Sequence, residues 1–154
     1  MSLKYTDYDI VFQEVPNEVS LAVNLSRCPH RCPGCHSAQL QQDIGELLTE
    51  DVMAELLKKY GSAITCVCFM GGDADLPQLE SLARHIRTTT ALKTAWYSGN
   101  DEIPLSAVDV FNYIKIGPYI ARLGNLRSAT TNQRMYRILP NGRREPIALG
   151  CLAQ

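Results

Sequence analysis

Long uncharged runs are missing from this chain. The longest, over residues 60–72, holds thirteen residues, against the roughly 20 apolar residues that a membrane-crossing helix needs. No membrane span is therefore expected. An apolar leader is missing as well: the opening MSLKYTDYD carries acids where a secretory peptide places its hydrophobic segment, and a cytoplasmic location is the expectation. Internal repeats, low-complexity tracts and linkers rich in Pro, Gly and Ser are absent, which makes residues 1–154 one domain. No Ser/His or His/Asp pattern stands out. Net charge is only −1, which argues against broad nucleic-acid binding.

What is present is a globular balance, 45% apolar and 20% charged residues, in a chain long enough to bury a core without disulfide staples. The small net charge hides an asymmetry. Residues 1–110 carry eight Lys/Arg against fifteen Asp/Glu, and residues 111–154 carry seven against one. The basic tail reads either as a solvated face or as a docking surface for an acidic partner or anionic ligand groups.

The pattern along the chain alternates strand and helix signals. Strands are expected over 8–15 and 19–25 around a Pro16-Asn17 turn, and residues 27–42 follow as a loop that cannot make a core. Thr49, with Glu50 and Asp51 behind it, starts a helix whose Val52, Met53, Leu56, Leu57 and Tyr60 share a face and which Gly61 closes. The run 64–70 reads as a strand covered on both faces, ending at Gly71-Gly72-Asp73. Asp75 and Pro77 start a second helix through Leu79, Leu82, Ala83 and Ile86. Strands over 92–97 and 113–116, with a short helix over 105–111 between them, complete three strand–helix units. Residues 120–133 have no period, and 134–139 with 145–149 flank Pro140-Asn141-Gly142 as a hairpin. Alternating strands and helices imply a parallel sheet with ligands at the carboxyl ends of its strands.

Six cysteines without an export signal point to metal or catalysis rather than to disulfides. Cys28-Pro29-His30-Arg31-Cys32-Pro33-Gly34-Cys35 sets three thiols at C-x3-C-x2-C spacing, and a fourth is missing. Structural zinc and pure electron-transfer clusters are fully ligated by protein. Three thiols would leave one iron of a [4Fe-4S] cluster open to a small molecule such as S-adenosylmethionine. The alternative is a Cys3His zinc site completed by His30 or His36, or a site using a fourth thiol from Cys66 or Cys68. Those two alternate with Val67 in an apolar strand, where cysteine usually serves as a small hydrophobe. A colourless, zinc-stabilised interaction module with Cys28, Cys32, Cys35 and His36 as ligands is thus the rival to an enzyme. Cys151 has no reading.

The three-cysteine loop after an early strand, with Gly71-Gly72-Asp73 after a later one, resembles the cluster and GGE-type motifs of radical S-adenosylmethionine enzymes. Within them the chain is similar to the small activating enzymes of anaerobic, class III ribonucleotide reductase. That resemblance rests on Pro33-Gly34-Cys35, Ala95-Trp96-Tyr97-Ser98-Gly99, Ile116-Gly117-Pro118-Tyr119 and Thr131-Asn132-Gln133-Arg134. Two departures stand out: Pro16-Asn17-Glu18 lies where the family often has a Gly-Pro-Gly-like segment, and Asp73 replaces the longer Glu.

The resemblance implies an α/β fold, a small partial parallel (βα) barrel with the cluster at the carboxyl end of its strands. It implies that Cys28, Cys32 and Cys35 ligate a [4Fe-4S] cluster whose fourth iron chelates S-adenosylmethionine. Gly71, Gly72 and Asp73 would line the amino end of the methionine moiety. Ser98 and Gly99 would lie on the same rim, and Lys115 either reaches a carboxylate or is an ordinary surface lysine. The implied reaction is reductive cleavage of S-adenosylmethionine to a 5′-deoxyadenosyl radical that removes hydrogen from a glycine of the anaerobic ribonucleoside-triphosphate reductase large subunit. A low-potential donor such as a flavodoxin would supply the electron, and another glycyl radical enzyme is the alternative substrate. Arg122, Arg127 and Arg134 are expected at the reductase interface.

Overall fold

Each helix starts where a short polar side chain takes up a free backbone N–H. Thr49 Oγ1 accepts from the Val52 N–H at 3.2 Å, and α1 runs Glu50–Tyr60 with its acids in the first turn and Lys58 and Lys59 in the last, matching the helix dipole. Asp75 Oδ1 accepts from the Gln78 N–H at 3.3 Å, and α2 runs Leu76–Thr89 with Pro77 in its first turn. Gly61 is not a left-handed stop: its φ is −59° and the chain tightens into a 3-10 turn, Gly61–Ala63.

The computed structural model describes residues 3–26, 44–118, 120–123 and 131–147. Eight strands, β1 Lys4–Val11, β2 Ser20–Leu25, β3 Glu46–Leu47, β4 Cys66–Met70, β5 Lys93–Tyr97, β6 Tyr113–Ile116, β7 Arg134–Ile138 and β8 Arg144–Ile147, form one sheet in the order β3-β1-β2-β4-β5-β6-β7-β8. Strands β2, β4, β5 and β6 are parallel, whereas both flanks pair antiparallel. The α/β fold expected is thus present as a mixed, open sheet with a parallel centre. The third crossover holds only a 3-10 turn, Leu105–Asp109.

The helices cover one face. Leu21, Val23, Leu25, Val67, Phe69 and Ile114 pack there with Met53 of α1 and Leu79, Leu82 and Ile86 of α2, and Trp96 stacks on Phe111 at 5.5 Å between ring centroids. Full burial of side chains such as Phe69 or Leu82 contributes about 1.5–3 kcal/mol each. The other face holds Cys66, Cys68, Ala95, Tyr113 and Met135 under Val15. β4 is apolar throughout because both faces are covered, but one cover is a loop.

That loop corrects a strand boundary. The first strand stops at Val11 rather than 15, because residues 12–19 leave the ladder to bury Val15 and Pro16 over the sheet. Asn17 turns the chain at φ 66°, and the Glu18 N–H donates to Val15 O at 3.2 Å. Glu18 then pins the loop at the amino ends of the parallel strands. Its carboxylate accepts from Thr65 Oγ1 at 2.7 Å, Lys93 Nζ at 2.9 Å and the Tyr113 hydroxyl at 2.7 Å. Burial alone would raise its pKa, but the hydrogen bonds from Thr65, Tyr113 and Lys93 outweigh it and hold the carboxyl below its ordinary value.

Candidate cofactor site

The carboxyl ends of the parallel strands make a polar rim. At its start, the Ser26 N–H donates to Lys4 O at 2.9 Å and the Ser26 hydroxyl donates to Ile44 O at 2.6 Å. The chain therefore leaves β2 and returns toward β3 through one closed neck. Between the two anchors lie residues 27–43 with Cys28, Cys32 and Cys35, which are outside the described residues, as are Arg127 and Cys151.

Gly71 and Gly72 end β4 with φ of +108° and +95°, a region that glycine enters without penalty. The Gly71 N–H donates to Tyr97 O at 3.0 Å and its carbonyl accepts from Trp96 Nε1 at 2.8 Å. A Cβ on Gly72 would sit 3.0 Å from Leu25 Cδ1 and 3.2 Å from Leu79 Cδ2. The missing side chain at Gly72 thus makes room for the β2–α2 packing.

Asp73 joins the ends of β4 and β5. Its Oδ1 accepts from the Ser98 hydroxyl at 2.6 Å and its Oδ2 from the Gly99 N–H at 3.1 Å. Ser98 is buried, its Oγ accepts from the Asn100 N–H at 2.9 Å, and its own N–H donates to Lys115 O at 2.8 Å. Three residues singled out in the sequence, Asp73, Ser98 and Gly99, are therefore one hydrogen-bonded unit.

Lys115 corrects the surface-lysine alternative, since it is 7% exposed. Its ammonium donates to Gly117 O at 3.2 Å and lies 5.5 Å from the centre of the Tyr97 ring, an attractive cation–π geometry. Gln133 Nε2 reaches the same carbonyl at 3.3 Å, and Asn132 Nδ2 donates to Pro118 O at 3.0 Å. The Gly117 N–H donates to Asn100 O at 2.6 Å and so ties β6 to the β5 end. Asn100 was not legible in the sequence, and Asn132 and Gln133 stood out only through the resemblance. Asn132 and Gln133 are polar side chains just before β7, whereas Asn100 acts through its main chain, which leaves no side-chain signal.

The family model described as a 4Fe-4S single cluster domain matches residues 18–116, which run from the start of the loop anchor at Glu18 through the end of β6. The chain belongs to the 4Fe-4S single cluster domain family. No curated protein matches the chain. As a member of this family it is an iron–sulfur protein, and the metal-binding reading of the cysteine loop takes precedence over a zinc module.

The residues fit that cofactor. Among the described residues no three His, Cys, Asp or Glu side chains gather as a metal site. Cys66 and Cys68 are free thiols and fully buried. Burial pushes the Cys66 thiol up to about 12 and Cys68 well above its ordinary range, whereas iron ligation needs thiolate. Their reading as small core hydrophobes holds. The buried pair is thus poorly suited to hold the cluster. The rim also carries an orphan: Asn132 Oδ1 is buried without a hydrogen-bond partner among the described residues, which costs about 1–3 kcal/mol until a donor meets it. A ligand with N–H or O–H groups lying along the strand ends would supply one.

Proposed function

We propose that this iron–sulfur protein is a radical S-adenosylmethionine enzyme of the partial-barrel type that activates a glycyl radical enzyme, anaerobic ribonucleoside-triphosphate reductase. One observation carries the reading: a 4Fe-4S domain whose cysteine motif has three thiols, so that one iron is left for a ligand. Bound there, the cluster supplies the electron from a donor such as a flavodoxin that splits S-adenosylmethionine into methionine and a 5′-deoxyadenosyl radical.

The chain's own residues bind and orient. Cys28, Cys32 and Cys35 hold the cluster. The Gly71-Gly72 backbone and the Asp73 carboxylate, fixed by Ser98 and Gly99, offer acceptors for the methionine ammonium. Lys115 offers a cation near the methionine carboxylate, and the buried Asn132 Oδ1 accepts from the ligand. The glycine Cα–H gives its hydrogen atom to the deoxyadenosyl carbon, leaving 5′-deoxyadenosine and a glycyl radical on the reductase. No general base takes part, in keeping with the lack of a Ser/His or His/Asp pattern. A cytoplasmic location goes with this reading, and no helix among the described residues is long and apolar enough to cross a membrane.

Anaerobically reconstituted protein, reduced and given S-adenosylmethionine, is expected to be brown and to release 5′-deoxyadenosine, and with the reductase to give a glycyl radical signal in paramagnetic resonance. A colourless protein holding one zinc overturns the reading. Deoxyadenosine without a glycyl radical on the reductase, but with one on another glycyl radical enzyme, redirects the substrate alone.

A further inference from the structure

The charge asymmetry of the chain becomes spatial in the sheet. One outer edge, β3 with its neighbours β1 and α1, exposes Asp7, Asp9, Glu46, Glu50, Asp51 and Glu55. The opposite edge, the β7–β8 hairpin, exposes Arg134, Arg137, Arg143 and Arg144 against a single acid, Glu145. Only Arg137 is ion-paired among the described arginines there, to Glu145 at 3.5 Å, with both side chains about half exposed at 45% and 53%. Such a pair is worth little, so the edge keeps most of its positive field.

The hairpin starts at the cofactor rim. Arg134 opens β7 opposite Ile116, the last residue of β6, and its guanidinium donates to Thr131 O at 2.6 Å and to Gln133 O at 2.9 Å. β8 offers little to strand addition. From the Leu139–Arg143 bond of 2.8 Å, ladder alternation turns the main-chain groups of Arg144 and Pro146 to the open edge, and proline has no N–H to donate. What this edge offers a partner is therefore arginine side chains.

We propose that the β7–β8 edge docks a short acidic segment of a polypeptide, and on the reading above this segment belongs to the protein substrate presented to the rim. A β8 of four residues spans roughly 13 Å, the reach of a few acidic side chains. A long polyanion such as nucleic acid is disfavoured because the rest of the molecule is acidic. A second copy, basic edge to acidic edge, would be a heterologous, head-to-tail contact, and the test below reads it as self-association.

The probe is a fluorescein-labelled deca-glutamate peptide at low salt, followed by anisotropy, with 5′-deoxyadenosine release measured in parallel. Wild type is expected to bind it saturably, Arg143→Glu/Arg144→Glu to lose at least tenfold in affinity, and Lys58→Glu/Lys59→Glu on α1 to change less than twofold. Arg143→Gln/Arg144→Gln should lose an intermediate amount, and it replaces the charge reversal should that variant fail to fold. All variants should keep peptide-free deoxyadenosine release. Absence of saturable binding, equal loss in the α1 pair, tighter edge-dependent binding of a single-stranded oligonucleotide, or self-association that the Arg143/Arg144 change removes, each overturns the proposal. Failure of the radical reading shows separately, as no deoxyadenosine release from wild type whatever the peptide does.

Discussion

At the scale of single residues, burial marks Cys66 and Cys68 as part of the core. Cys66 and Cys68 sit at 0% exposure with their thiols held protonated, so Cys66→Ala or Cys68→Ala should keep full iron content and cost on the order of 1 kcal/mol as a small cavity. Cys28→Ala, Cys32→Ala or Cys35→Ala should each abolish deoxyadenosine release, because the cluster loses a ligand. Iron analysis of the five purified variants checks this, and iron loss in Cys66→Ala equal to that in Cys32→Ala contradicts it. Gly72 is the second informative residue. A bulky side chain there meets Leu25 and Leu79 at a φ of +95°, so Gly72→Val should lower the melting temperature through lost packing, by about 2 kcal/mol or more. A variant with wild-type melting would show that Leu25 and Leu79 give way and that packing does not demand glycine there.

At the scale of elements, the helices were legible in detail, because Thr49 and Asp75 are caps whose chemistry is local. The strands β4, β5 and β6 were legible from apolar runs. The far flank was legible too, since the hairpin expected around Pro140-Asn141-Gly142 forms β7 and β8; the near flank was not, because residues 12–15 have strand-like composition while Val15 serves a loop that covers the sheet and Phe12 stays exposed, a tertiary role with no local signature. The Glu18 knot escaped notice for the same reason, since Thr65, Lys93 and Tyr113 meet it only after the sheet forms. Its consequence is a pH dependence. A carboxyl held below its ordinary value of 4.5 in the fold contributes stability that is complete above that value and is lost as pH falls through the lower, folded one. Glu18→Gln should therefore lower stability near pH 7 by about 1–3 kcal/mol and flatten the acid limb of the melting temperature against pH. Parallel acid limbs in the two proteins would show that other groups govern it.

At the scale of the whole molecule, the sheet order brings the described residues of the proposed cofactor site to one rim. The cysteine loop leaves from β2, Gly71-Gly72-Asp73 ends β4, Ser98-Gly99-Asn100 ends β5, and Gly117 with Asn132 and Gln133 closes the far side. The expectation of ligands at the strand ends came from the alternating strands and helices. No local signal showed that Asp73, Ser98 and Gly99 would form one unit, because Asp73 and Ser98 stand 25 positions apart across α2 and β5 and only the parallel register brings them to a 2.6 Å hydrogen bond. The same sheet order sends an excess of opposite charge to opposite edges, the asymmetry that would orient the proposed acidic partner before contact.

The central claim is that the three-thiol cluster keeps an iron open for S-adenosylmethionine at this rim. Paramagnetic resonance of the anaerobically reduced protein, recorded before and after addition of S-adenosylmethionine, tests it most directly. The account predicts a reduced-cluster spectrum whose g-values shift on addition, with the shift weakened in Asp73→Asn while iron content stays at the wild-type level. A cluster spectrum that S-adenosylmethionine leaves unchanged, as a fully protein-ligated cluster would give, contradicts it.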